Sequence, residues 1–377
     1  MAYRLDARET LPQGIRRIVS EQLDGAVEGV RTATGDERDR AVHDARKRLK
    51  KSRAVLRLVR DEVGSKTCKR ENQALRDVGR SLSASRDAAV LVETVDRLDA
   101  QVPLARRSLA PLRVVLEQRR RETAAQALDE GGALAAAADE IEEIRARVEG
   151  WRLRKDGFSV LEDGLRRTYH RGSEGFAEAR EDPSDKRMHE ARKRVKDLWY
   201  HARILEPVWP GPMDQLVEAT DELGDRLGED HDLAVLADTV RALAREGADG
   251  GAGETALTLV ENRRAELRAE VWPLGRRVYA DKPKPFVRRM RILYRTWRDE
   301  HVWQLSPESA ERVRELLETR EVGDEIEQRR AGERLRRHGI HDEDLAAHLP
   351  QRNGASTPVD FDELVKHGRV RVQKQKT

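Results

Sequence analysis

Cysteine is almost missing from this sequence, which has a single one, Cys68, in 377 residues. One cysteine excludes an internal disulfide and a four-cysteine zinc site, and it is typical of proteins in a reducing compartment. No stretch approaches the roughly 18 consecutive apolar residues of a membrane span, and no apolar signal core follows Met1. The sequence therefore predicts a cytoplasmic protein with no membrane partner.

An excess of charge of one sign is also missing, because 73 Lys and Arg residues stand against 70 Asp and Glu residues. The resulting net charge of +3 gives no general reason to expect a polyanionic partner, so only local clustering of cations could supply one. Aromatic residues make up 4% and charged residues 38% of the chain. Such a composition favours helices with ion-paired outer faces, and we predict an all-α fold.

An internal repeat organises the chain. The segment HDARKRLK at His43–Lys50 returns as HEARKRVK at His189–Lys196, identical at six of eight positions. Two further pairs of segments recur in the same order, Gly14–Arg17 with Gly164–Arg167 and Asp77–Leu91 with Glu222–Leu236. We therefore predict a tandem duplication of a helical unit.

Each unit is predicted to be a four-helix bundle, because short loops between long helices favour antiparallel packing. The expected helices cover 12–33, 37–62, 68–100 and 104–130 in the first unit, and 155–180, 185–206, 213–246 and 254–280 in the second. The first bundle is expected over 6–140 and the second over 141–298, related by a pseudo-twofold axis. A small C-terminal extension of unknown role follows over 299–377, with a short strand at 369–372 and a basic end.

Positive charge is concentrated on one face of a helix in each copy. Successive helical residues turn by about 100°, so the basic residues and the histidine that precedes them form one stripe. The stripe comprises His43, Arg46, Lys47, Lys50 and Arg57 in the first copy, and His189, Arg192, Lys193, Lys196 and Arg203 in the second. Further cations recur on neighbouring helices at Arg16, Arg17, Arg166, Arg167 and Arg171.

A solvated helix face is the ordinary explanation of such a stripe. Against it, like charges spaced i, i+4 each cost roughly 0.2–0.5 kcal/mol, and nearly every such neighbour here is another cation. An anionic ligand would offset that cost, because each charge-assisted hydrogen bond to phosphate contributes about 1.5–3 kcal/mol. The leading histidines fit either a neutral core residue or a cation beside phosphate, and both interpretations stay open.

Metal binding and catalysis have little support in the sequence. The acidic run Glu229–Asp232, EDHD, contains possible metal ligands, but its counterpart Ser85–Asp87 has no histidine or paired carboxylate. Helix capping or ion pairing is the preferred interpretation of that run. We predict no catalytic residue, no metal site and no cofactor.

Together these motifs resemble the CHAD domain, the conserved histidine α-helical domain, over roughly residues 6 to 298. The resemblance implies two bundles about a pseudo-twofold axis, with a basic central groove that binds inorganic polyphosphate without enzymatic activity and in association with polyphosphate granules. Phosphate or sulfate would fit the same groove. The positions that match the family pattern are His43, Arg46, Lys47, Lys50, His189, Arg192, Lys193 and Lys196, with Arg16, Arg17, Arg166 and Arg167 behind them.

Two other functions remain as alternatives. A nucleic-acid-binding protein uses the same Lys and Arg electrostatics, but it usually adds exposed aromatic residues for stacking or a recognition helix. A phosphate-processing enzyme would need carboxylate-bound Mg²⁺ close to the stripe. Some CHAD proteins carry a triphosphate-tunnel domain, and this chain lacks that domain's alternating-glutamate signature.

Overall fold

The computed structural model describes residues 3–7, 9–34, 37–82, 84–102, 106–127, 131–155, 157–249, 251–301, 303–305, 307–322, 325–337, 361–366 and 370–372. Helices dominate these residues, so the predicted all-α class is confirmed. Across these ranges, no helix combines the length and apolar character needed to cross a membrane.

The N-terminal part consists of helices joined by short connections. These are α1 (Leu11–Thr32), α2 (Arg38–Leu58), α3 (Arg60–Val63), α4 (Ser65–Ser81), α5 (Ala84–Gln101), α6 (Arg106–Ala127) and α7 (Gly131–Val148). The following part contains α8 (Ser159–Glu181), α9 (Asp185–Leu205), a 3₁₀ turn (Glu206–Val208), α10 (Pro212–Arg245), α11 (Gly253–Val278) and α12 (Pro283–His301).

Local signals set several of these helix ends. At α1, the Thr10 hydroxyl accepts a hydrogen bond from the Gln13 backbone N–H, and the Gln13 side chain accepts one from the Thr10 N–H at 2.9 Å. This reciprocal capping box satisfies two backbone donors that the helix itself cannot. At α10, Gly211 adopts φ +83° and Pro212 then occupies the first helical position, where its missing N–H costs nothing.

Two hydrophobic cores organise the helices. The main core contains buried residues of α1, α2, α4 and α7 together with α8, α9, α12 and the nearer ends of α10 and α11. The second core joins α5 and α6 to the remaining ends of α10 and α11. Each core draws on helices from both sides of residue 140. The boundary at that residue and the duplication into two bundles therefore stay predictions.

The predicted helix over 68–100 is wrong, because the chain forms two helices there. α4 ends at Ser81, whose hydroxyl donates to the carbonyl of Val78 at 3.0 Å, and the chain turns at Leu82. Serine side chains compete for backbone groups in this way and favour helix ends. The second copy has Gly228–Asp230 at the matching place, inside the continuous α10.

Helix α7 was not among the predicted helices. Its buried face includes Ile141, Ile144 and Val148, and it packs against α1 and α4. Arg147 anchors it, because its guanidinium donates to the fully buried carboxylate of Glu71 on α4 at 3.0 Å. The two residues of this ion pair are 76 positions apart in the sequence, so no local pattern indicates it.

The C-terminal extension has its own small core. Strand β1 (Trp303–Leu305) pairs in parallel with β2 (Val370–Val372), which confirms the strand predicted at 369–372. Helices α13 (Pro307–Val322), α14 (Glu325–Arg337) and α15 (Phe361–Lys366) supply the other residues of this core. The predicted basic end at 373–377 lies outside the described residues.

Candidate anion-binding groove

Helices α2 and α9, which carry the two basic stripes, pack directly against each other. The Nε2–H of His201 donates to the carbonyl of Ala54 at 2.8 Å, and Arg57 Nη2 lies 2.5 Å from Asp197 Oδ1. These contacts place residues 54–57 of α2 against residues 197–201 of α9. Two segments about 146 positions apart in the chain thus share one crossing, which we call the α2/α9 crossing.

Lys50 marks the point where cations of both copies meet. Desolvation by the surrounding protein and, after it, the charges of Arg46, Arg192, Arg53 and Lys196 together lower the pKa of Lys50 to about 8. Within the described residues, Lys50 has no carboxylate partner. We call these five residues the central cluster. Two of them come from α9, so the sequence repeat brings cations together in space as well as in pattern.

Arg192 adds an unused hydrogen-bond donor to the central cluster. Its Nε is buried and has no acceptor among the described residues. The guanidinium lies over α10 where a glycine leaves room, since a Cβ at Gly228 would stand 3.2 Å from this nitrogen. A buried N–H without an acceptor costs roughly 1–3 kcal/mol, and an accepting group beside Arg192 would remove that cost.

Basic side chains continue along α2 from the central cluster to a cavity. Arg53 Nε and Arg57 Nη1 both donate to Oδ1 of Asn72 on α4, at 3.1 and 3.3 Å. Beyond Arg57 lies a cavity of about 360 Å³, the Arg57 cavity. Its cationic lining consists of Arg57, Arg60, Lys69, Arg167, Arg171 and Arg194. The predicted residues Arg57, Arg167 and Arg171 are therefore brought together.

Carboxylates compensate part of the second stripe, contrary to the expectation of an unbroken row of cations. Lys193 Nζ lies 2.5 Å from Glu190 Oε1, one helical turn away. Lys196 Nζ lies 3.0 Å from Asp221 and 2.8 Å from Asp225, both on α10. In the first copy, Lys47 is exposed and has no carboxylate partner within the described residues. Among the lysines of the two stripes, those of α9 therefore have carboxylate partners, whereas Lys47 and Lys50 of α2 have none within the described residues.

Comparison with known proteins identifies the family. The family model of the CHAD domain matches residues 17–241. The chain belongs to the CHAD family. A CHAD domain structure from the plant Ricinus communis resembles it with a TM-score of 0.53 and 19% identity, over 74% of this chain and 95% of that one. PptA from Streptomyces chartreusis gives a TM-score of 0.54 and 18% identity, over 72% and 100%. No curated protein matches the sequence.

Within the CHAD domain, His189 does not stand alone. Its ring centroid lies 4.1 Å from that of His231 on α10, with the rings tilted by 38°. Burial lowers the pKa of His189 to about 4, and the charges of His231, Lys193 and Arg192 contribute. Burial and Arg192 also lower the pKa of His231. Without a ligand, both imidazoles are thus neutral near pH 7.

His231 lies beside the predicted site residue His189 but was not itself among the predicted site residues. The sequence favoured helix capping or ion pairing for the run 229–232 that contains it, and the run's carboxylates do form ion pairs. Glu229 pairs with Arg263 at 2.8 Å, and Asp230 pairs with Arg264 at 3.0 Å. The signal for His231 was present, since its position aligns with Arg86 of the first copy, a cation in place of an imidazole.

Other predicted residues lie apart from the central cluster. Arg16 donates to the carbonyl of Trp151 at 2.9 Å, and Arg17 pairs with Glu9 at 2.7 Å. Arg16 therefore ties α1 to the connection between α7 and α8, and Arg17 ties α1 to the N-terminal segment. Arg166 pairs with Asp163 at 2.6 Å beside a second cavity of about 900 Å³ between α8 and the start of α12. His43 is half-buried on α2.

The described residues include no group of three or more His, Cys, Asp or Glu side chains placed to hold a metal ion. Cys68 is buried, and its thiol lies 3.8 Å from the carbonyl of Leu56. Burial raises the pKa of that thiol, which makes it a poor nucleophile.

Proposed function

We propose that this CHAD protein is a non-enzymatic binding protein for inorganic polyphosphate. The polyanion lies along the groove of the α2/α9 crossing, where Arg, Lys and His side chains contact its phosphate oxygens. Phosphate and sulfate are smaller ligands of the same groove. A cytoplasmic location and association with polyphosphate granules belong to this proposal.

The central cluster is the observation that supports the proposal most strongly. Desolvation lowers the pKa of Lys50 to about 8, and the charges of Arg46, Arg192, Arg53 and Lys196 contribute to that shift. Repulsion within this cluster opposes folding, and the carboxylates of Asp221 and Asp225 offset it at Lys196. Each charge-assisted hydrogen bond from these side chains to a phosphate oxygen would contribute about 1.5–3 kcal/mol, so a few such bonds exceed the stored repulsion.

The shape of the cationic surface favours a linear polyanion over a single phosphate ion. Cations extend from Lys50 through Arg53 to the Arg57 cavity, and Asn72 links the last two guanidinium groups. A chain of phosphates presents the same negative group at regular intervals. Repeated contacts along this path require no recognition of bases and no stacking.

A binding role without catalysis fits the carboxylates of the groove. Glu190 lies one residue from the α9 stripe, and both Lys193 and Arg194 pair with it, at 2.5 and 3.3 Å. A phosphoryl-transfer site would instead use such a carboxylate to hold Mg²⁺. The proposal predicts no phosphate release when the protein is incubated with long-chain polyphosphate and Mg²⁺.

Charge reversal in the central cluster tests the proposal. We expect Lys50→Glu combined with Arg192→Glu to weaken binding of long-chain polyphosphate by at least about 100-fold at moderate salt, because two contacts of about 1.4 kcal/mol or more are lost. Wild-type affinity should fall steeply with salt concentration, and the variant's dependence should be shallower. The control is the reversal of Arg312, an exposed residue of α13. Binding by the double variant at wild-type strength would refute the proposal.

Nucleic acid is the second candidate ligand, and the aromatic residues of the groove argue against it. Trp199 is half-buried, and Lys196 and Arg203 lie over its ring at 4.5 and 5.2 Å, so its face is occupied by cations. Stacking with bases needs a free ring face. In a competition assay at equal phosphate concentration, long-chain polyphosphate should displace duplex DNA. The reverse order would favour nucleic acid.

A further inference from the structure

The α2/α9 crossing has two sides, and they differ in the charge of one aligned residue that neighbours an arginine. In the aligned copies, Arg57 corresponds to Arg203, and Lys51 corresponds to Asp197. On the first side, Asp197 receives Arg57 at 2.5 Å and Arg194 at 3.5 Å. The carboxylate is nearly buried and neutralises much of the charge of both guanidinium groups. This side therefore resembles an ordinary buried ion pair.

On the other side, a lysine occupies the place of that carboxylate. Burial lowers the pKa of Lys51 to about 8, and the largest charge effect after burial is that of Arg203, followed by Arg48 and Lys47. Asp44 offsets part of this repulsion. Neither Lys51 nor Arg203 has an ion-pair partner within the part of the chain that the structure describes. Arg203 thus has a cation nearby at the aligned position where Arg57 has an anion.

Aromatic rings hold these cations without neutralising them. Lys51 Nζ lies 5.2 Å and Arg203 Cζ lies 5.8 Å from the ring centroid of Tyr3. Arg203 also lies over Trp199, at 5.2 Å, and Lys196 of the central cluster lies over the same ring. The Tyr3 hydroxyl donates to the carbonyl of Lys51 at 3.1 Å, which fixes the ring. Cation–π contacts position a charge but leave its full value available to an anion.

We infer that Lys51 and Arg203, with the exposed Lys47 beside them, form an anion subsite that takes a phosphoryl group of the bound polyanion. The inference rests on the proposed function and adds a direction to it. The polyphosphate is held more strongly on the Arg203 side of the crossing than on the Arg57 side, where Asp197 repels phosphate. A phosphoryl group suits the subsite because its oxygens accept hydrogen bonds from an ammonium and a guanidinium at once.

A substitution at Lys51, whose aligned counterpart is Asp197, tests the subsite. Lys51→Asp gives Arg203 the carboxylate that Arg57 already has, so we expect affinity for long-chain polyphosphate to fall at least tenfold. The same change replaces a like-charge contact by an ion pair, so the melting temperature should stay equal or rise. Loss of binding without loss of stability separates a ligand contact from a structural role. Asp197→Asn, which frees Arg57 and Arg194, should instead tighten binding about threefold or more.

Controls make the outcomes distinguishable. Arg312→Asp changes the net charge as Lys51→Asp does, and it should leave affinity within about twofold of the wild type. If Lys51→Asp unfolds the protein, Lys51→Gln gives the result, with an expected weakening of several-fold and restoration by Lys51→Arg. Wild-type binding by a folded Lys51→Asp variant, together with loss in Lys50→Glu, would overturn the subsite and leave the proposed function standing. Wild-type binding by both variants would overturn both.

Discussion

His201 of α9 donates its Nε2–H to the backbone carbonyl of Ala54 on α2 at 2.8 Å, at a point with no solvent exposure. A carbonyl oxygen only accepts, so the contact fixes the Nε2–H tautomer. It also joins α2 to α9 at their crossing, where the two basic helices meet. The geometry of the central cluster depends on that crossing.

Acid should destabilise the folded protein at His201, because the buried imidazole would have to become charged. Burial lowers the pKa of His201 to about 4. The unfolded chain takes up a proton near pH 6.5 and the native state only near pH 4, so the stabilisation is present above pH 6.5 and is lost as the pH falls through this window. The loss amounts to at most about 3 kcal/mol. We expect His201→Gln, which keeps an N–H donor but does not titrate, to lose less unfolding free energy between pH 6.5 and 4 in denaturant titrations. Parallel pH curves would contradict this.

The contact of Gly164 on α8 with the backbone of α2 should tolerate no side chain at that position. A Cβ added at Gly164 would overlap the backbone carbonyl of Leu58, and neither backbone can move far inside the main core. We expect Gly164→Ala to lower the unfolding free energy by about 3 kcal/mol or more, which is typical of overpacking against backbone.

Gly29 of α1 is the matched control for that change, since a Cβ there has nothing within 4 Å. Gly29→Ala should stabilise the protein by up to about 1 kcal/mol, because alanine has the higher helix propensity. Thermal unfolding of the two variants side by side checks both values. Equal melting temperatures would show that α8 and α2 do not approach as closely as described.

Polyphosphate affinity should weaken at an unusually low pH for a lysine site. Lys50 and Lys51 have pKa values of about 8, against about 10.4 for an ordinary lysine. The proposed polyanion would bind their charged forms, so affinity should be highest well below pH 8 and decline as the pH rises through 8 towards 9. Calorimetry near pH 8 should also detect proton uptake on binding. Lys50→Arg should flatten the decline between pH 7 and 9, and a decline that begins only near pH 10 would count against desolvated lysines at the site.

The sequence predicted which basic residues share a helix face better than it predicted which of them are paired with carboxylates. The face shared by Lys50 and its basic neighbours follows from helical geometry, and the repeat indicated that a second stripe belongs with it. The carboxylates of Asp221 and Asp225 could not be anticipated in this role. They lie on a different helix, and only tertiary packing decides which side of α10 meets Lys196.

Divergence between the copies explains the other omissions. The break between α4 and α5 and the stacking of His231 on His189 both occur where the two copies no longer match. A prediction that assumes two equivalent units therefore misses both features. The same divergence at Lys51 and Asp197 makes the two sides of the crossing electrically different, and it is visible in the sequence only once the structure shows which residues face each other.

A crystal structure of the protein with a medium-length polyphosphate bound is the most direct test of the central claim. The account predicts a continuous chain of phosphate density along the α2/α9 crossing, with phosphate oxygens within hydrogen-bond distance of Lys50 Nζ and of the buried Nε of Arg192. Density on another surface, with the Lys50 ammonium still in contact only with protein and solvent, would contradict it.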